Sequence, residues 1–117
     1  MRCLEDAELV SRLRAEQIPL TVCPLSNIRL CVFETMAQHT IKQMMDARLC
    51  VTVNSDDPPY FGGYVVENLS AVQQAFDLSR AEMIGLARNS FTASFLSDEE
   101  KQRFCRELDE FAVVEAL

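Results

Sequence analysis

The stretch VTVNSDDPPYFGGY, Val51 to Tyr64, decides how this chain is read. It opens as a β-branched run, Val51-Thr52-Val53, preceded by Cys50 and closed by Asn54-Ser55, which suits a short buried strand. Two adjacent aspartates follow, Asp56 and Asp57, then Pro58-Pro59, an aromatic pair and Gly62-Gly63. Neighbouring carboxylates repel each other unless a cation or a shared proton holds them. A divalent metal on one and a ligand N–H on the other would relieve the repulsion. The alternative is plain turn chemistry, since Asp and Pro favour tight turns and an Asp can cap a following helix.

Working outward, Leu4 to Gln17 reads as an amphipathic helix stopped by Ile18-Pro19. Leu20 to Pro24 is a second short apolar run and a candidate strand. Residues 25–38 read as a loop of mixed character, and Thr40 is placed to cap a helix from Ile41 to Arg48, with Ile41, Met44, Met45 and Leu49 inward. A helical crossover between the two strands makes them parallel. In parallel α/β folds functional residues gather at the C-terminal ends of strands. Those ends are Cys23-Pro24-Leu25-Ser26-Asn27 and Asn54-Ser55-Asp56-Asp57-Pro58.

Beyond the glycines the pattern is helical. Val65 to Phe76 is one helix; Ser79-Arg80-Ala81-Glu82 is a capping box opening a second, with Met83, Ile84, Ala87 and Phe91 inward. Ser97-Asp98-Glu99-Glu100 is another, ahead of Phe104, Leu108 and Phe111 as inward positions. Two parallel strands do not make a self-contained sheet. The expected fold class is therefore α/β, as the last part of a larger protein: a single partial domain over 1–117, with strands and helices in 1–64 and C-terminal helices in 65–117.

The totals exclude several classes. The 117 residues are 49% hydrophobic with a net charge of −7, so disorder is not expected and no basic stripe offers itself to nucleic acid or an anionic membrane. No apolar run approaches the roughly 20 residues that span a bilayer. The charged, amphipathic N-terminus is not a signal peptide. The 5 cysteines include no CxxC pair, which favours reduced thiols and a cytoplasmic location. The single histidine, His39, is expected at the surface or in a capping role, away from both strand ends.

The two strand ends carry a resemblance. "LTVCPLSN" followed by "VTVNSDDPPYFGGY" resembles the C-terminal region of the adenosine/adenine deaminase family over nearly the whole chain. The "YFGGY" loop is more similar to the branch acting on the free base adenine than to the nucleoside branch; Pro59 departs from the small residue expected there. The resemblance implies the C-terminal portion of a (β/α)8 TIM barrel, its last two parallel strands plus C-terminal helices. It implies a zinc-dependent hydrolase converting adenine to hypoxanthine and ammonia in purine salvage, with zinc activating a water and a Glu protonating a ring nitrogen. It implies Asp56 as a zinc ligand, Asp57 as the carboxylate that hydrogen-bonds the purine, and Cys23, Ser26 and Asn27 at the pocket floor. It also requires an H-x-H pair, two further histidines and a catalytic Glu, none of which this sequence offers; "MRCLED" resembles the link after a sixth strand. The chain alone is accordingly expected to be inactive and to carry no catalytic residue of its own. The partner expected is a small-molecule purine, with self-association possible through unpaired strands. An adenosine deaminase fragment, or a non-catalytic helical interaction module, are the alternatives.

Overall fold

Asp6 splits the expected first helix. Its carboxylate accepts the Leu9 N–H at 3.1 Å and caps α1, Ala7–Glu16, so Arg2–Glu5 stands apart as a 3-10 turn. The computed structural model describes residues 2–115. Gln17, at φ 49°, ends α1 in the left-handed conformation ahead of Pro19. β1 is Leu20–Val22. The following segment, expected as loop, is helical over Pro24–Arg29 (α2), because a proline at the first helical position forfeits no internal hydrogen bond. After a 3-10 turn, Met36–Gln38, come α3 (Ile41–Asp46) and β2 (Val51–Val53). Arg48, expected within α3, lies outside it at φ 61°. The remaining elements are α4 (Pro58–Phe61), α5 (Val65–Phe76), α6 (Arg80–Thr92) and α7 (Asp98–Glu115).

β1 and β2 pair in parallel, Leu20 opposite Val51 and Val22 opposite Val53. Leu20 N–H donates to the Cys50 carbonyl and Asn54 N–H to the Val22 carbonyl, each at 2.8 Å. Parallel ladders alternate, so the backbone groups of Val51 and Val53 face the other edge of β2. There Asn89 of α6 donates its Nδ2 to the Val51 carbonyl at 2.8 Å. The core joins Val22, Val51 and Val53 to Ile41 and Met44 of α3, Val72 of α5, Leu86 of α6, and Leu49 and Leu78. Burying each large side chain contributes about 1.5–3 kcal/mol relative to exposure.

Two helical faces differ from the sequence pattern. On α6 the fully buried residue is Leu86, whereas Met83, Ile84, Ala87 and Phe91 are half-buried. On α7, Phe104 stacks on Phe91 with ring centroids 5.2 Å apart, but Phe111, expected inward, is 60% exposed. α7 packs chiefly on α6, and near its end Arg80 of α6 donates to the Ala112 carbonyl at 3.1 Å while Val113 and Val114 are exposed. The Ser79–Glu82 capping box forms in both directions. Ser97 accepts the Glu100 N–H at 3.2 Å but donates its hydroxyl back to Glu100 Oε1, so the second box closes on the side chain and not on the backbone. Among the described residues no helix is long and apolar enough to cross a membrane.

Candidate active site

Both strands run into helices at their C-terminal ends, α2 after β1 and α4 after β2, and the candidate residues lie in those two junctions. Ser26, on the first turn of α2, is 2% exposed and donates its hydroxyl to Asp56 Oδ2 at 2.9 Å. Asp56 itself is held at φ 59°, a left-handed conformation that Asp tolerates better than most residues but that still stores strain. The bond to Ser26 and the unusual backbone angle together aim this carboxylate toward the end of β1.

Asp57 does something different. It occupies the N-cap position of α4, where its carbonyl accepts the Tyr60 and Phe61 N–H groups at 3.1 and 2.9 Å. Its carboxylate makes no capping hydrogen bond and is exposed. The helix-capping alternative for this side chain is therefore not realised. The adjacent carboxylates differ in geometry: both are exposed, but one is tied to α2 and the other makes no cap bond.

Cys23 sits between β1 and α2 as a half-buried thiol. Burial pushes its pKa up, and the nearby Asp56 carboxylate raises it further, so the group is a neutral thiol and not a nucleophilic thiolate. Asn54 closes the ladder and donates its Nδ2 to the Thr52 hydroxyl at 3.0 Å. Gly62 takes φ 82° to end α4, which its lack of a Cβ permits.

His39 corrects an expectation. It is 2% exposed and lies beside the strand-end loop, with Nε2 bonded to Asn27 Oδ1 at 2.8 Å. Its Nδ1 accepts the Ile41 N–H at 3.0 Å, which does cap α3 and fixes the Nε2–H tautomer as donor to Asn27. Burial lowers its pKa to about 4. The surface assignment failed because a lone histidine among polar neighbours carries no periodic signal of burial.

Asn68 is the residue that the sequence pattern passed over. It is 0% exposed, accepts the Leu25 N–H on Oδ1 at 3.0 Å and donates Nδ2 to the Tyr64 carbonyl at 2.9 Å. Asn68 lies one helical turn before Val72, on the face of α5 that is buried, and that phase was the available signal, because a buried amide costs free energy unless both ends are bonded.

The described residues include no group of three or more His, Cys, Asp or Glu placed to hold a metal. Asp56 offers one carboxylate beside a neutral thiol, and catalytic zinc sites use three protein ligands. The residues of this chain do not by themselves fit a metal. A cleft of about 470 Å³ opens against Thr21, Thr52, Asn54, Ser90 and Phe95. It reaches the candidate site only at Asn54, so the carboxylate pair is an open surface and not an enclosed pocket.

Parallel strands with a helical crossover and polar residues gathered at their C-terminal ends are the arrangement of a (β/α)8-barrel segment. The family model described as "Adenosine deaminase" matches residues 1–111, and the chain belongs to that family. It is 58% identical over 111 residues to the adenine deaminase of Hahella chejuensis, covering 95% of this chain and 33% of that protein. It is 60% identical over 103 residues to the adenine deaminase of Chlorobium phaeobacteroides, covering 88% of this chain and 31% of that one. The crystal structure of an adenine deaminase from Arthrobacter aurescens superposes with a TM-score of 0.90 at 47% identity, over 94% of this chain and 34% of that one. An Arabidopsis thaliana N6-methyl-AMP deaminase shares the fold, with a TM-score of 0.79 at 24% identity, over 94% of this chain and 33% of that one. The chain thus has the fold of the C-terminal portion of a TIM barrel and spans about a third of the length of the curated relatives it matches.

Proposed function

We propose that this chain furnishes the substrate-facing carboxylates of a zinc-dependent aminohydrolase that converts adenine to hypoxanthine and ammonia, a purine-salvage reaction. Asp56 is the ligand it contributes to the metal, and Asp57 is the carboxylate that hydrogen-bonds the purine. The observation that carries this reading is the split between them: Ser26 holds Asp56 at 2.9 Å, while the Asp57 carboxylate is exposed and makes no cap bond. The adenine deaminase relatives named above support the free base over the nucleoside as the substrate. The 117 residues alone are inactive in this reading, because the other zinc ligands and the catalytic Glu have no counterpart in the sequence. The cysteine spacing, with no CxxC pair, supports a cytoplasmic location, and the two-stranded sheet seen among the described residues supports self-association through its edges.

The test is a chimera in which this chain replaces the matching C-terminal third of the Hahella chejuensis enzyme. It should release ammonia from adenine in preference to adenosine and copurify with zinc. Asp56→Ala should lose both zinc and turnover; Asp57→Ala should keep zinc and lose turnover. Equal zinc loss in both variants would show the pair misassigned. Zinc-dependent deamination by the 117-residue chain alone would show that it carries a complete site.

A further inference from the structure

Asn68 bridges the two junctions that build the candidate site. α2 begins with Pro24, which has no N–H, so Leu25 presents the first orphan donor of that helix, and Cys23 supplies no side-chain cap. Asn68, 43 residues away, fills that role by accepting the Leu25 N–H. Its other end donates to the Tyr64 carbonyl, at the close of the loop that begins with Asp56. A steric contact accompanies the polar one: a Cβ on Gly63 would fall 2.6 Å from Leu25 Cδ1, so this backbone is pressed against the Leu25 side chain. Ser26 follows Leu25 directly, and its hydroxyl reaches Asp56.

We propose that Asn68 is a positioning residue for the Asp56 carboxylate, acting through Leu25 and Ser26 by clamping the loop after β1 to the loop after β2. The proposal rests on the reading of Asp56 given above, but the clamp is measurable without turnover. In the isotope-labelled 117-residue chain, two signals are followed by NMR: hydrogen exchange of the Leu25 amide and the 13Cγ shift of Asp56 at pH 7. Ser26→Ala marks the shift of a released Asp56. In Asn68→Ala the Leu25 amide should exchange about tenfold faster, the loss of one buried hydrogen bond, and the Asp56 resonance should move toward its Ser26→Ala position. Asn68→Asp keeps the acceptor for Leu25 but sets a carboxylate oxygen against the Tyr64 carbonyl, so it should protect the Leu25 amide and still move the Asp56 resonance. Val72→Ala, fully buried on the same helix, should lower global stability and leave the Asp56 resonance in place.

An unmoved Asp56 resonance in Asn68→Ala would overturn the proposal, as would an equal shift in Val72→Ala. Should Asn68→Ala fail to fold, an unmoved Asp56 resonance in Asn68→Asp, where the Tyr64 end of the clamp is broken, overturns it. A clamp signature that appears as expected, beside a chimera that never acts on adenine, would retire the functional reading and leave the clamp standing.

Discussion

Replacing Ser26 by alanine isolates the contact that orients Asp56. The hydroxyl is buried and donates to Asp56 Oδ2 at 2.9 Å. Hydrogen bonds to charged groups contribute about 1.5–3 kcal/mol, and neutral ones about 0.5–1.5. Asp56 is exposed, so water takes the vacated lone pair, and solvent screening places this contact near the lower range. No orphaned donor remains, since the donor leaves with the oxygen. The expected cost is about 1 kcal/mol, a fall in melting temperature of roughly 4 °C for a chain of this size. The functional cost should be larger in proportion. Outer partners of metal ligands contribute 10- to 100-fold in affinity, and the low end, about tenfold, suits a single exposed contact. Thermal unfolding of the 117-residue chain by circular dichroism gives the first figure; competition for zinc against a chromophoric chelator in the chimera gives the second. Unchanged zinc affinity beside the expected loss of stability would reduce Ser26 to a packing residue. A stability loss beyond about 3 kcal/mol would mean that water does not reach the vacated carboxylate oxygen, and the screening argument would fail.

Met44 is 1% exposed in the core, so Met44→Ala should cost about 2–5 kcal/mol, read from the urea midpoint. His39 has a folded pKa of about 4 against an ordinary 6.5, so the unfolded chain binds more protons between those values. The stability due to neutral His39 is complete above pH 6.5 and is lost as pH falls toward 4, and urea titrations should show that slope flattened in His39→Gln. β1 pairs on one side only, so sedimentation velocity should show association as the chain is concentrated; a monomer at every concentration would show its outer edge to be blocked.

Much of this arrangement was legible in the residues. The β-branched run at 51–53, the crossover from Leu20–Val22, the span of α5 and the Ser79 box all follow from local pattern. The carboxylate pair announced itself by electrostatic awkwardness. Local pattern failed where tertiary contacts decide. Pro24 reads as a strand end, yet it starts α2, whose exposed amide is satisfied by a side chain far along the sequence. His39 and Asn68 look like polar surface residues, and only their four bonds to Asn27, Ile41, Leu25 and Tyr64 bury them. Phe111 has the right helical phase to face inward, yet it stays 60% exposed at the end of α7.

The three bonds that knit the strand-end loops span very different lengths of chain: 12 residues for His39 with Asn27, 30 for Ser26 with Asp56, and 43 for Asn68 with Leu25. Each requires a loop to close before its bond is made, and the entropy of closure rises with length. The contacts within helices α5 and α6 are local, and local contacts are made on a far shorter timescale. These separations predict an order of folding: helical turns first, then the strand pair, and last the site. In that order Asp56 takes its left-handed conformation only when the loops around it have closed, so the geometry of the carboxylate pair is the last the chain is expected to acquire.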